Sequence, residues 1–408
     1  MQAVRELYKI GRGPSSSHTL APERACRMFV QEFGPYPHYE AELYGSLSLT
    51  GRGHNTDEII RETLPGTTEV KFCLDWKESF PNGFYLRSYD DAHHLTHQWT
   101  VFSLGGGSLE IKEKKLNWND EVYEEKSFRE VAQVLKSRGL TIPEYLYAHE
   151  PDLKGYLKEI MQAELDCVSR GLQARGTMPG KLHMTRSAGE LLSSVYEADA
   201  EEKDRLKLMA YSYAASEENA TRGTVVTAPT LGACGVMAAL VNYEFRDCGR
   251  TADEVADALA VAGLFGNLIK SNATISGAVG GCQAEVGAAV SMASAAFAYL
   301  AGGDASQIEY AAEIGMEHNL GLTCDPVMGY VMIPCIERNA MGILRARDAA
   351  LLSCHMSAIR HHLVSFDMVV DTMKETGKQL PRTLRETSEG GLAMEFSQPD
   401  RSIEDPKS

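Results

Sequence analysis

The segment SNATISGAVGGCQAEVG, residues 271–287, lies where two stretches with helical periodicity meet, residues 252–268 and residues 283–300. Its small residues and the Gly280-Gly281 pair interrupt the helical pattern just before Cys282. Strand signals are nearly absent in this half of the chain, apart from residues 224–227. The same helical periodicity recurs in residues 128–137, 153–171, 188–214, 305–318 and 345–364. Residues 127–395 are therefore predicted to form an all-α domain.

The first 112 residues show a different pattern, in which apolar and polar residues alternate along short β-rich pieces. These pieces are residues 40–49, 69–74, 83–88 and 100–104. We therefore expect an α+β fold, with an N-terminal α/β sandwich-like domain over residues 1–112 and the larger all-α domain over residues 127–395. The charged residues 113–126 are predicted to form an exposed linker, and the polar residues 396–408 a disordered tail.

The composition narrows the class of protein. The 408 residues carry a formal net charge of −16, which argues against nucleic acid or an anionic membrane surface as the main partner. The most apolar stretch, around residues 279–301, is rich in Gly, Ala and Ser, and it fits a helix buried among helices better than a membrane span. The first residues lack the apolar core of a signal peptide, and the nine cysteines are an odd number. We therefore expect a cytoplasmic protein with free thiols.

Three cysteines stand in segments rich in Gly, Pro and small residues: Cys282, Cys324 and Cys335. They are 42 and 11 residues apart (324 − 282 and 335 − 324), a spacing that matches neither zinc fingers nor ferredoxins. The residues alone leave two interpretations open. The cysteines are buried thiols at helix ends, or they are three ligands of a catalytic metal site that keeps one coordination position free.

A second unusual segment is GPSSSHTLAPERA, residues 13–25, in which three serines, one histidine and one threonine precede a predicted helix. Ser and Thr are common helix caps, but one cap needs one hydroxyl and this segment offers four. The alternative is a site that binds a small anionic ligand at a helix N-terminus. The segment by itself leaves both interpretations open.

These segments belong to a series of motifs that resembles one known family. The series is GPSSSHT (13–19), GHNTDE (53–58), SLGGG (103–107), GTMPGKL (176–182), ENATRGTVVTAPTLGACG (218–235), SNATISGAVGGCQAEVG (271–287), EHNLGLTCDPVMGYVMIPCIERNA (317–340) and SFDMVVDTM (365–373). In this order the motifs resemble bacterial iron–sulfur L-serine dehydratases, with the β-type and α-type regions of that family fused in one chain. The resemblance implies a [4Fe-4S] cluster held by Cys282, Cys324 and Cys335, an open fourth iron, and an active site between the two domains.

The resemblance also implies a reaction, in which L-serine loses its Cα proton and its hydroxyl group and yields pyruvate and ammonia. An open iron can act as a Lewis acid on the departing hydroxyl group, and a histidine can act as the base that removes the Cα proton. We expect His54 to be the base, oriented by Asn55 or Asp57, and His18 to bind the carboxylate or act as the partner acid; the reverse assignment stays open. The candidate substrate-binding residues are Ser15, Ser16, Ser17, Thr19, Asn219, Thr227 and Asn272.

Other functions stay open at this point. The same elimination could act on L-threonine, L-cysteine or a related β-substituted amino acid, and an inactive chain could serve as a serine-sensing module. A pyridoxal-phosphate dehydratase needs a Schiff-base lysine in a phosphate-binding context, which we do not find in the sequence. SLGGG is not a dinucleotide fingerprint. We therefore expect neither pyridoxal phosphate nor a nicotinamide cofactor, and we expect a homo-oligomer, most simply a dimer.

Overall fold

The computed structural model describes residues 1–116 and 121–398. Within them, the strands are β1 (Ile10–Arg12), β2 (His38–Tyr44), β3 (Thr67–Phe72), β4 (Gly83–Tyr89), β5 (Leu95–Gly105), β6 (Ser108–Ile111) and β7 (Thr224–Val226). Three helices accompany them in the first part of the chain: α1 (Ala21–Phe33), α2 (Ser46–Leu49) and α3 (Thr56–Thr63). Strand β7 and the helices of the second domain follow after residue 127.

The first domain is a two-layer α/β sandwich. Its five-stranded sheet has the order β3-β2-β4-β5-β6, in which only the β2–β3 pair is parallel. Alternate residues of β2 are buried, so that Ala41 and Leu43 pack with Phe29 of α1 and Ile60 of α3. The opposite face of β2 carries Glu40, whose carboxylate pairs with arginine and lysine side chains of the neighbouring strands. One apolar and one charged face is the pattern that period-two alternation predicts.

The second domain is helical within the described residues. Its helices are α4 (Phe128–Arg138), α5 (Ile142–His149), α6 (Leu153–Gln173), α7 (Ala188–Ser193), α8 (Ala200–Ala220), α9 (Cys234–Asn242), α10 (Ala252–Asn272), α11 (Gly277–Gly280), α12 (Val286–Leu300), α13 (Ala305–Glu317), α14 (Cys335–Met356), α15 (Phe366–Gln379) and α16 (Gly391–Phe396). Every residue of α12 except Tyr299 is buried, and the helix packs against α10, α13 and α14. The predicted α+β fold class is confirmed.

Small side chains let these helices approach closely. A Cβ added to Gly315 of α13 would lie 2.4 Å from Oγ of Ser294 on α12, and one added to Gly342 of α14 would lie 2.9 Å from Val290. The stretch of Gly, Ala and Ser residues in α12 therefore serves helix packing. No helix within the described residues is long and apolar enough to cross a membrane.

Two segments differ from the sequence-based boundaries. The first residues cross to the helical domain, where Val4, Leu7 and Tyr8 enter its core and β1 pairs antiparallel with β7. The predicted linker 113–126 is exposed only in part, because Leu116 is buried in the first domain and Tyr123 in the second. Residues 117–120 of that linker and residues 399–408 of the predicted tail lie outside the described residues.

Candidate active site

The GPSSSHT segment forms a tight turn that buries His18. Residues Ser16–Leu20 form a π-helical turn that runs directly into α1, and Ser15 stands before it as its cap. The Ser15 hydroxyl accepts a hydrogen bond from the backbone N–H of His18, at 3.4 Å. Thr19 donates its hydroxyl to the Arg12 and Ser15 carbonyl oxygens, and Ser16 is buried in the turn. The Ser15 hydroxyl therefore caps the π-helical turn, not α1 itself, and the hydroxyl-rich segment also surrounds an imidazole.

The hydrogen bonds of His18 define its tautomer. Its Nε2 lies 3.1 Å from the Ser46 hydroxyl and 2.9 Å from the Thr50 hydroxyl. Each of these hydroxyls donates its own hydrogen to a carbonyl oxygen, that of Glu386 for Ser46 and that of Ser46 for Thr50. Both hydroxyls therefore present lone pairs to Nε2, which must carry the ring hydrogen. His18 Nδ1 is then the acceptor, 3.1 Å from each of the Ser15 and Ser17 hydroxyls.

His54 lies against His18 with nearly parallel rings, whose centroids are 4.1 Å apart at an interplanar angle of 21°. Its Nδ1 is 3.0 Å from the Thr50 carbonyl oxygen, which can only accept, so Nδ1 carries the hydrogen and Nε2 the lone pair. The orienting partner is thus Thr50, and the expectation for Asn55 and Asp57 was wrong. Asn55 opens α3 in the left-handed region at φ 57°, and Asp57 pairs with Arg61 one turn later.

Burial keeps both imidazoles neutral. His18 is fully buried, which lowers its pKa to about 4. Burial also lowers the pKa of His54 well below its usual value, and the neighbouring His18 lowers it further. Both rings are therefore unprotonated at neutral pH, and each has a basic nitrogen.

The three cysteines of the sequence analysis line one cavity between the two domains, together with Ser15 and His54. Cys282 begins a short helical turn before α12, and Cys335 is the first residue of α14. Cys324 lies in the connection between α13 and α14, where its N–H donates to the Leu384 carbonyl oxygen at 2.9 Å. The polypeptide thus brings together thiols that are up to 53 residues apart (335 − 282).

The chemistry of these thiols fits a metal cluster. Burial raises the pKa of Cys282 to about 11 and raises the pKa values of Cys324 and Cys335 well above the usual value of a thiol, so the thiols alone stay protonated. A bound cation deprotonates a thiol that coordinates it, which offsets this cost of burial. Two of the three sulfurs stand at helix N-termini, where the backbone dipole favours negative charge. Three soft thiolate ligands around one cavity fit a metal cluster that is coordinated by three cysteines.

Three carboxylates line the same cavity, those of Glu285, Asp325 and Glu386, and none of them was predicted as a site residue. Glu285 follows Cys282 in its motif, and its Oε2 lies 3.9 Å from Cys324 Sγ. Glu386 Oε1 lies 3.6 Å from His18 Nδ1. Burial, aided by Glu386, raises the pKa of Glu285 to about 8, and burial raises the pKa of Glu386 to about 7. The Glu285 motif offered a signal, whereas nothing around Glu386 in the sequence distinguished it.

The remaining candidate residues take up other contacts. Asn219 donates its side-chain amide to the Pro14 carbonyl oxygen at 2.7 Å, so it supports the turn that carries His18. Thr227 bonds to the backbone of Leu7 and Lys9, and Asn272 bonds to the backbone of Lys126 and Leu268. The expected substrate contacts of Thr227 and Asn272 are therefore corrected: both side chains anchor backbone outside the cavity.

The fold and this cavity define a two-domain α+β protein in which three thiols and His54 line a cavity between the domains, with His18 stacked on His54. Residues 3–72 match the family model described as serine dehydratase beta chain, and residues 107–393 match the one described as serine dehydratase alpha chain. The chain belongs to the serine dehydratase family.

Curated relatives match over nearly their full length. The chain is 37% identical to the L-serine dehydratase of Streptomyces coelicolor, over 96% of this chain and 98% of that protein. It is 35% identical to L-serine dehydratase 1 of Escherichia coli, over 97% and 99%. It is 32% identical to the L-serine dehydratase of Helicobacter pylori, over 96% and 98%.

Proposed function

We propose that this protein removes water from L-serine and releases pyruvate and ammonia. The names of the relatives support the substrate. The observation that carries the proposal is the convergence of three thiols and the neutral imidazole of His54, which stacks on the ring of His18, on one cavity. A reducing cytoplasmic location and a homo-oligomeric state, most simply a dimer, remain predictions from the sequence.

In this proposal, Cys282, Cys324 and Cys335 hold a [4Fe-4S] cluster. When bound, such a cluster supplies an iron that polarises the substrate hydroxyl as a Lewis acid. The donor set supports this choice, because soft thiolates select iron–sulfur clusters, zinc or copper(I), and their spacing fits no structural zinc motif.

His54 is the base that takes the Cα proton. The hydrogen bond from its Nδ1 to the Thr50 carbonyl oxygen leaves the lone pair on Nε2, and burial keeps that nitrogen unprotonated at neutral pH. No hydrogen bond to Nε2 is found among the described residues, so this lone pair remains for a substrate. Both nitrogens of His18 are already engaged, which supports a role in positioning the neighbouring serine hydroxyls.

Ser15 binds the substrate carboxylate. His18 Nδ1 has one lone pair and lies 3.1 Å from two hydroxyls, those of Ser15 and Ser17. It accepts the hydrogen of one, and the other hydroxyl can donate either to its serine neighbour, at 3.2 Å, or to a ligand. Ser15 is the member of this pair that lines the cavity. The remaining predicted members, Ser16, Ser17, Thr19 and Asn219, support the turn.

The test is an anaerobic preparation in which iron, acid-labile sulfide and pyruvate release from L-serine are measured. Replacing Cys282, Cys324 or Cys335 by Ser is expected to abolish the cluster and the activity, because each change removes one ligand. Cys167→Ser and Cys73→Ser are the matched controls, one buried and one half-buried, and both should keep cluster and activity.

Two results would contradict the proposal. Stoichiometric zinc without sulfide would exclude the cluster. A cluster-loaded enzyme that releases a 2-oxo acid from L-threonine or L-cysteine but no pyruvate from L-serine would exclude the substrate.

A further inference from the structure

Glu386 carries a buried carboxylate oxygen without a partner. The residue is 3% exposed, and its Oε2 has no hydrogen-bond partner among the described residues. Its Oε1 faces His18 Nδ1 at 3.6 Å. The carboxyl group interacts with the Ser46 hydroxyl and the Ala278 backbone. A buried carboxylate oxygen without a hydrogen bond is nevertheless costly, so one that is retained in a ligand cavity calls for an explanation by ligand binding.

The backbone around Glu386 holds this carboxylate in place from both domains. Glu386 has φ 59°, in the left-handed region that non-glycine residues rarely adopt. Its N–H donates to the Cys324 carbonyl oxygen at 2.7 Å, and its own carbonyl oxygen accepts from the Ser46 hydroxyl at 2.7 Å. Such a strained conformation persists where the surrounding structure fixes it, and strained residues cluster at functional sites.

The position of the carboxylate suits one part of an amino acid. One nitrogen each of His18 and His54 and one oxygen of Glu386 lie within 4.8 Å of one another. An ammonium group that donates a hydrogen bond to Glu386 would therefore lie beside the imidazoles. The Cα of the amino acid is covalently attached to this ammonium nitrogen, so it would lie there too. We propose that the Glu386 carboxylate binds the α-ammonium group of the substrate through Oε2, an inference that rests on the proposed function.

Glu285 fits this role less well, because its Oε2 is in contact with Cys324 Sγ and belongs to the surroundings of the thiols. The same three side chains could also hold a divalent cation. Two imidazoles on one metal direct their in-plane lone pairs to a single point, whereas the ring planes of His18 and His54 are nearly parallel, with centroids 4.1 Å apart, and keep their lone pairs in separate planes. The arrangement therefore favours an ammonium group, and a divalent ion becomes an outcome of the test.

The test compares two competitive inhibitors that differ in the proposed contact. L-alanine has the ammonium and carboxylate groups but no hydroxyl, and 3-hydroxypropanoate has the hydroxyl and carboxylate groups but no ammonium. Glu386→Gln removes the negative charge with little change in shape. We expect the inhibition constant of L-alanine and the KM for L-serine to rise at least about tenfold, the size of a lost hydrogen bond to a charged group. The inhibition constant of 3-hydroxypropanoate should stay within about twofold.

The matched control is Glu164→Gln, because Glu164 is also a buried glutamate without side-chain partners but lies outside the cavity. It should leave both inhibition constants unchanged. If Glu386→Gln does not fold, Glu386→Asp keeps the charge on a shorter side chain, and the same selective loss of L-alanine affinity is expected of it.

Three results would overturn the proposal: equal losses for both inhibitors, no loss for either, or a divalent metal that is bound by the wild type and lost in Glu386→Gln. Pyruvate release by the wild type separates these results from a failure of the proposed function, which would show as no turnover of L-serine at all.

Discussion

Neighbouring carbonyl and hydroxyl groups decide which nitrogen of each active-site histidine carries the proton. Thr50 contributes to both, through its carbonyl oxygen at His54 Nδ1 and its hydroxyl at His18 Nε2. The two rings are therefore neutral but different: the lone pair of His18 is engaged by serine hydroxyls, and that of His54 is not. The proposal that His54 is the base rests on this difference.

His54→Ala is expected to lower kcat by roughly 10²–10⁴-fold, the usual contribution of a general base. The cluster should survive, because no cysteine is touched. Exchange of the Cα proton of L-serine in deuterated solvent, followed by mass spectrometry, measures the proton transfer directly.

His18→Ala is the companion variant for this measurement. It should weaken the binding of L-serine at least as much as it lowers kcat, since His18 positions the serine hydroxyls and packs on His54. If His54→Ala exchanges the proton at the wild-type rate and His18→Ala does not, the two roles are reversed. If both variants retain exchange, neither histidine is the base.

At the scale of secondary-structure elements, the backbone of the turn between α2 and α3 lies directly against the backbone of the helical domain, with Gly53 next to Gly329. A Cβ added to Gly53 would lie 2.6 Å from the Gly329 carbonyl oxygen, and backbone atoms cannot yield as a flexible side chain can. Gly53 directly precedes His54, so this contact sets the distance between the base and the segment that follows Cys324. The turn needs glycine for this close approach.

Gly53→Ala is therefore expected to lower kcat at least about tenfold, since small displacements of a catalytic group have effects of this order or larger. Gly155→Ala is the control, because Gly155 lies in α6 and an added Cβ would meet nothing within 4 Å. That change should leave kcat unaltered and stabilise the protein by up to about 1 kcal/mol, since Ala is the better helix former. Steady-state kinetics and thermal unfolding of both variants measure this. Wild-type kcat in Gly53→Ala would show that the contact does not position His54.

Strands and helices could be predicted from the sequence where the periodicity of apolar residues, which is a local signal, is clear. The alternation in residues 83–88 and the helical pattern in residues 305–318 correspond closely to β4 and α13. Residues 188–214 were predicted as one helix and form two, α7 and α8, because Asp199 stops the run and caps the second helix by accepting from the N–H groups of Glu201 and Glu202. Helical periodicity does not register such a break when apolar residues continue on both sides.

At the scale of the whole molecule, the site exists only because distant segments meet. The prediction of the three cysteines and both histidines as site residues came from the motifs, since each of these residues lies within one, Cys324 and Cys335 in the same one. The motifs could not predict that the Ser46 hydroxyl bonds to the Glu386 carbonyl oxygen, a contact between residues 340 positions apart in the sequence. This tertiary contact fixes the place of Glu386, and no local pattern encodes it. The contact of the Thr50 hydroxyl with His18 likewise joins residues 32 positions apart.

The helical domain also contains a titratable group that couples its stability to pH. Glu164 of α6 is 1% exposed, neither carboxylate oxygen has a hydrogen-bond partner among the described residues, and burial raises its pKa to about 8. Between its unfolded pKa of 4.5 and about 8, the folded state holds the proton more tightly than the unfolded state, so the free energy of unfolding falls as pH rises through this window.

Glu164→Gln mimics the protonated form, and we expect it to be more stable than the wild type at pH values above about 8, by a few kcal/mol, and about equally stable near pH 4.5. Glu159→Gln, an exposed position on the same helix, should leave the pH dependence unchanged. Denaturant unfolding of the three proteins across this range measures how the free energy of unfolding changes with pH. If that free energy changes by the same amount in the wild type and in Glu164→Gln between pH 5 and pH 8, Glu164 is not the group responsible.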